Sequence, residues 1–257
     1  MTVFLEEMTR EQIKAIAPQA VAVLPTASIE QHGPHLPVVT DTLLCGTVAR
    51  RAAEAAGGRS QVVVTPVMSY ANSHHHRPFA GVLSLAAPTY MAAVTDVLEG
   101  LFLSGFRKLV VLNGHGGNTD SNAVVGLDFV NRLGFDVAIA TASYWDIGRP
   151  AIVEQGIMDG GLVPGHAGRF ETAMVMAIRP ELVSQEGMSR IVDQSGKRAG
   201  IFSKDLVGGT VQRHGTWAVS VGYTDNPAAA TAEEGKAMLE IIVQRVADFI
   251  VAFDKSN

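Results

Sequence analysis

Three short polar clusters and one histidine tract carry most of the groups in this sequence that can bind a cation or move a proton. The first cluster is Glu30-Gln31-His32-Gly33-Pro34-His35, with Asp41 close behind in Thr40-Asp41-Thr42. Glu30 and His32 are two residues apart, so an extended segment points both side chains to one side. Asp41 falls where a helix should begin, and the helix dipole favours a carboxylate there. Two carboxylates and an imidazole on a loop stiffened by glycine and proline suit Zn²⁺, Mn²⁺ or Fe²⁺. The plainer reading makes Asp41 a helix cap and His32 an ordinary loop histidine.

The second cluster is Asn113-Gly114-His115-Gly116-Gly117-Asn118. Its glycines allow close backbone approach to a ligand and leave His115 unobstructed. A glycine-rich turn leading into a helix can also cradle an anion. Here the spacing is not G-x-G-x-x-G, and no Lys-Ser/Thr pair follows as a phosphate loop requires. The third cluster, Gly165 to Thr172, places His166 in a glycine-bounded turn and Glu171 at the start of a helix. An ordinary polar turn and a helix cap are the competing readings. In His74-His75-His76, neighbouring side chains of an extended segment alternate in direction, so one or two of them face a pocket. Tyr144-Trp145-Asp146 offers an aromatic wall, or a half-buried surface aromatic.

The elements that position these groups are legible in the apolar pattern. Strands are expected over Ala20 to Leu24, Gln61 to Val67, Lys108 to Leu112 and Asp136 to Thr141. Helices are expected over Thr9 to Ala17, Asp41 to Ala56, Pro88 to Ser104, Thr119 to Leu133, Glu171 to Ala177 and Thr231 to Phe253. This rhythm predicts an α/β fold, a single domain over residues 1–257 with a mostly parallel central sheet and helices on both faces. Ligands of such sheets bind at the carboxyl ends of the strands, on the loops where the polar clusters fall.

Composition narrows the function classes. Of 257 residues, 47% are hydrophobic and 18% charged, enough to fill a sizeable core. The formal net charge of -5 and the lack of a basic stripe argue against nucleic acid or an anionic membrane as partner. The single cysteine, Cys45, allows neither an internal disulfide nor a thiolate metal site. No basic segment leads into a long apolar run near Met1, and no stretch reaches the ~18 apolar residues of a membrane helix. A cytoplasmic protein is expected.

At this point the residues resemble a known family. Ser28-Ile29-Glu30-Gln31-His32-Gly33-Pro34-His35-Leu36-Pro37, with Thr40-Asp41-Thr42, is similar to the signature of the creatininase (creatinine amidohydrolase) family. Asn113 to Asn118 and His166-Ala167-Gly168 with Glu171-Thr172 match its later motifs. His76, Phe79, Gly81 and Ser84 resemble a further block, with Ala80 and Val82 in place of its usual Pro and Thr, and Gly222 to Gly235 a C-terminal one. The resemblance implies one α/β domain, two divalent ions per subunit (Zn²⁺ first, Mn²⁺ or Fe²⁺ as alternatives) and a homohexamer. It implies that Glu30 and His115 hold one ion, that His32 holds the other, and that Asp41 bridges both. The family glutamate two places after the loop histidine is Gly117 here, and Glu171 is the replacement expected. Gly165 also stands where the family has a glutamate. Trp145 matches one substrate-packing tryptophan, and a second is missing near Leu162.

The expected activity is attack of a metal-activated water on a small cyclic amide or formamide-type substrate other than creatinine. His166 and Glu171 are the expected catalytic groups. His35, His76, Trp145, Asn113 and Gly116 are the expected substrate contacts. Opening of a cyclic polyol ketone, such as an oxidised inositol ring, is the second enzymatic reading. A non-catalytic protein that binds a small metabolite is the alternative from another class.

Overall fold

β1 (Val21–Thr26) is buried on both faces, so the sheet it belongs to needs cover on each side. Val21 and Val23 face one core, Ala22 and Leu24 the other. A computed structural model describes residues 3–158, 162–192 and 214–256. It runs α1 (Arg10–Ile16), β1, α2 (Thr40–Ala56), β2 (Val62–Val64), α3 (Ala87–Leu103) and β3 (Lys108–Asn113). Then come α4 (Thr119–Asn131), β4 (Ala138–Ser143), α5 (Tyr144–Glu154), α6 (Arg169–Ile178), α7 (Gln185–Ser189) and α8 (Ala232–Lys255). The four strands lie in the order β2-β1-β3-β4, all parallel. Helices α2, α5, α6 and α8 cover one face, and α3 and α4 the other. The chain therefore leaves β1 towards one face and β3 towards the other. Their carboxyl ends diverge at the place where α/β sheets bind ligands.

The long closing helix α8 presents Met238, Ile242, Val246 and Ile250 to the core at helical spacing. Gly148 of α5 lets it in close, because a Cβ there would lie 2.6 Å from Ile242. Gly235 does the same against α6: a Cβ would lie 1.8 Å from the Ala173 carbonyl oxygen. Alanine normally stabilises a helix interior by ~1 kcal/mol over glycine. Gly235→Ala is instead expected to destabilise by about 1–3 kcal/mol, since backbone cannot yield as a side chain can. Urea unfolding reads this as a lower midpoint with an unchanged slope, and a raised midpoint would contradict the close crossing.

Two strands differ from the sequence expectation, and one helix lies where no element was expected. β2 stops at Val64, because Pro66 has no N–H to donate and Met68 resumes pairing with Pro25 in irregular form. β4 starts two residues late, since Val137 folds back on Phe135 and Ala138 is the first residue in register with Lys108. The Tyr144-Trp145 segment is a helix, α5, although Pro150 lies inside it. Among the described residues no helix is long and apolar enough to cross a membrane.

Candidate metal centre

The loop after β1 is folded into a tight hairpin. The Glu30 N–H donates to Val38 O, and the Leu36 N–H to His32 O. Gly33 turns the chain at φ +65°, a conformation that disfavours side chains. Asp41 lies in the first turn of α2 and points back to the same space. Gly114 brings β3 against α2, since a Cβ there would lie 2.4 Å from that of Cys45. That contact places His115 opposite Asp41. Glu171 lies in the first turn of α6, behind Ala167 at φ 47°. Its carboxylate accepts the Ala167 N–H, so this strained residue helps to aim it.

These five side chains converge in a buried knot. Asp41 stands at its centre, with its two oxygens facing different imidazoles. Its Oδ2 lies 3.0 Å from His115 Nδ1, which is also 3.3 Å from Glu30 Oε2. Its Oδ1 lies 3.1 Å from His32 Nε2, which is also 3.6 Å from Glu171 Oε2. Both imidazoles are held from behind. His115 Nε2 lies 3.0 Å from Asn72 O and His32 Nδ1 lies 3.2 Å from Glu30 O. A carbonyl can only accept, so each of those nitrogens carries a proton. The opposite nitrogen faces the centre, the arrangement of metal-ligating histidines, and would offer its lone pair to a cation that displaces its proton. Among the described residues, buried Asp41 Oδ2 has no well-aligned hydrogen-bond donor, and its close neighbour is His115 Nδ1.

Charge in this knot follows from burial against neighbours. Burial raises carboxyl and lowers imidazole pKa values. At Glu30 the burial effect is outweighed by His115, His76 and His166, which hold its carboxyl well below the usual range. At His32 burial is outweighed by Asp41 and Glu171, and at His115 by Glu30 and Asp41. Both imidazoles keep a proton well above their ordinary value. Burial prevails at Glu171, whose pKa rises, and at His166, whose pKa falls well below normal. It also lowers His76 to about 3 and His35 to about 4. Glu30 and Asp41 thus meet at His115, and Asp41 and Glu171 at His32, two overlapping groups of donors of the kind that binds divalent cations. Within the second set the donor atoms all lie within 4.8 Å of one another.

A cavity of about 560 Å³ opens onto the knot. Gly116, His76, His166 and Trp145 line it, as does His75, which with Glu30 and His115 forms a further possible donor group. The histidine tract is one turn of 3-10 helix, not an extended segment, so His75 and His76 both reach the cavity. Two expected substrate contacts lie elsewhere. His35 is buried away from the cavity, with Nε2 2.9 Å from Thr172 Oγ1 and its ring edge-on to Tyr223. Asn113 closes β3, donating to Ser143 and Thr119 and accepting from the His115 N–H. Each braces a loop of the site.

Gly117 explains its own lack of a carboxylate. A Cβ there would lie 2.3 Å from Asn72 O and 2.6 Å from His115 Nε2. The brace behind His115 excludes any side chain. Sequence reasoning missed Trp217, whose ring lies 4.2 Å from that of His76 and 5.2 Å from that of His166. It supplies a second aromatic wall from a segment far from Leu162. Ser73, which donates to Glu30 Oε2, and Asp120 at the cavity wall were also missed. Neither lies in a cluster with a recognisable spacing.

A family profile described as Creatininase: Creatinine amidohydrolase matches residues 6–250. A creatinine amidohydrolase of Pseudomonas putida is 30% identical over 270 residues, covering 97% of this chain and 96% of the relative. A mycofactocin precursor peptide peptidase of Mycobacterium tuberculosis is 30% identical over 254 residues, covering 95% of this chain and 90% of the relative. A creatinine amidohydrolase crystal structure superposes with a TM-score of 0.82 at 28% identity, over 100% of this chain and 99% of its own. Solved structures of the same fold include a zinc–zinc form of a creatininase variant and a manganese form of creatininase.

Proposed function

Since the chain belongs to the creatininase (creatinine amidohydrolase) family, we propose that it is a hydrolase with two divalent ions that opens a small cyclic amide or formamide-type substrate other than creatinine. One observation carries the reading: Asp41 turns its two oxygens to two imidazoles, each backed by a second carboxylate. In this reading Glu30, Asp41 and His115 hold one ion, and His32, Asp41 and Glu171 the other. Zinc is the first choice, with manganese or iron as alternatives. When bound, such a pair polarises a carbonyl and makes hydroxide available near neutral pH.

The remaining groups act on substrate and proton. His166 is neutral and sits at the mouth of the knot, 3.6 Å from Glu30 Oε1, so it can take a proton and pass it to the leaving group. Trp145 and Trp217 flank a small planar substrate, and Gly116 leaves open space beside them. The direct test is a panel of cyclic amides, formamides and cyclic polyol ketones given to zinc-loaded protein, with products read by mass spectrometry. Turnover of ketones alone would shift the assignment to the second enzymatic reading. The proposal extends to a cytoplasmic homohexamer, which light scattering tests as a mass of six 27.2 kDa chains.

Acid is expected to strip the ions. Cations must displace the protons that His32 and His115 hold, so affinity falls as pH falls. Stability of the metal-free protein runs the other way. Its raised imidazole pKa values contribute stability that is complete below the unfolded value near ~6.5 and is lost as pH rises through the folded values. Zinc at about 100 times its Kd adds ~2.7 kcal/mol and removes that alkaline loss. Calorimetry of chelated and zinc-loaded protein from pH 6 to 9 reads both trends. Parallel curves would contradict the coupling.

A further inference from the structure

Helix α6 carries Glu171 in its first turn, yet its N-cap residue is Gly168, which has no side chain to accept from the opening N–H groups. An acceptor comes from Asp225, in the segment before α8. Asp225 Oδ2 accepts the Arg169 N–H at 3.1 Å, across 56 positions of sequence. Its Oδ1 accepts the Thr224 hydroxyl at 3.1 Å. A Cβ at Gly168 would lie 1.8 Å from Asp225 Oδ1, and one at Gly165 would lie 2.8 Å from it. Gly165 is at φ +67°, which favours glycine in any case. Gly168, at φ -94°, is in extended backbone that other residues adopt. Space for Asp225 is what requires glycine there.

The same segment holds the backbone of His166. The His166 N–H donates to Thr224 Oγ1 at 2.8 Å, and the Thr224 N–H donates to His166 O at 2.9 Å. A hydroxyl has one hydrogen to give. Thr224 gives it to the Asp225 carboxylate, at 3.1 Å and charge-assisted, in preference to His166 O at 3.4 Å. Its lone pairs then meet the His166 N–H. One carboxylate thus anchors two stretches of backbone, the His166 turn through Thr224 and α6 through Arg169. Between them, Ala167 gives its N–H to Glu171. Thr224 lines the cavity, whereas Asp225 does not, so Asp225 acts through its neighbours.

We propose that Asp225 is a positioning residue: it caps α6 from outside the helix, pins the His166 turn, and so sets where Glu171 and His166 stand at the knot. A carboxylate does lie beside Gly165, supplied by another segment and turned to the backbone. The role toward metal and reaction rests on the hydrolase reading above. The fit of Asp225 against Gly168 rests on the contacts alone.

Two measurements on the full chain test the two levels. The first is urea unfolding in excess zinc. A carboxylate that can swing away yields to a new methyl group, whereas one held by Arg169 and Thr224 does not. Gly168→Ala is expected to lower the unfolding midpoint when Asp225 is present, and to leave it unchanged or raised in an Asp225→Ala background. A Gly168→Ala chain that folds only together with Asp225→Ala also supports the fit. Equal losses in both backgrounds overturn it. The second measurement is competition for zinc with a chromophoric chelator. Asp225→Ala is expected to weaken the ion assigned to His32, Asp41 and Glu171 by about 10–100-fold and to leave the ion assigned to Glu30, Asp41 and His115 as in wild type. Asp225→Asn keeps an oxygen for the Arg169 N–H and is expected to fall between Asp225→Ala and wild type. General loosening of the fold weakens both ions alike. That result, or two unchanged affinities, overturns the positioning role. A wild type that binds fewer than two zinc ions sinks the hydrolase reading instead, and the unfolding comparison still decides the fit of Asp225.

Discussion

Asp41→Asn is expected to lose both ions and to lower kcat/KM by roughly 10³-fold or more, which corresponds to about 4 kcal/mol of transition-state stabilisation. The substitution keeps the size of the side chain. It removes one charge and turns one acceptor into a donor, at a side chain that faces both His32 and His115. An amide nitrogen turned to either imidazole cannot share a cation with it. The fold should survive, since the lost interaction with the α2 dipole is worth only ~0.3–1 kcal/mol. Metal analysis of the purified variant, with circular dichroism as the control, checks this. Two ions retained per chain would remove Asp41 from the bridging position.

His32→Ala is expected to abolish turnover while leaving one ion. Glu30, Asp41 and His115 remain to hold the first, whereas the second keeps only Asp41 and Glu171. The metal count should fall from two to one per chain. Some stability is lost as well, because Asp41 Oδ1 and Glu171 Oε2 are left without their imidazole in a buried site, at ~1–3 kcal/mol. Normal turnover with two ions bound would refute the assignment of His32.

The sheet was readable because β1 and β3 are short, β-branched and apolar on both faces, and helical periodicity marks α8. Helix α5 was not readable, because Pro150 and two leading aromatics argue against helix locally, while packing, chiefly on α8, secures it. The convergence of the candidate ligands was legible for a related reason. Glu30, His32 and Asp41 lie on one short loop, where spacing and glycine content constrain direction. His115 and Glu171 stand at helix starts after tight turns. What stayed hidden depends on contacts between distant segments. Trp217 meets His76 across more than a hundred residues, and Ser73 meets Glu30 through the loop after β2. His35 misled because its place beside His32 suggests the cavity, while the positive φ of Gly33 turns it towards Thr172. Gly117 looked like a missing ligand in the sequence. In the structure it is the space that Asn72 needs to brace His115.

Crystals of the protein grown with excess zinc, measured on both sides of the zinc absorption edge, address the central claim most directly. The binuclear reading expects two anomalous peaks per chain, one beside each Asp41 oxygen, the first against Glu30 and His115 and the second against His32 and Glu171. A chain with no peak in this knot, or with zinc bound only at surface carboxylates, would contradict it.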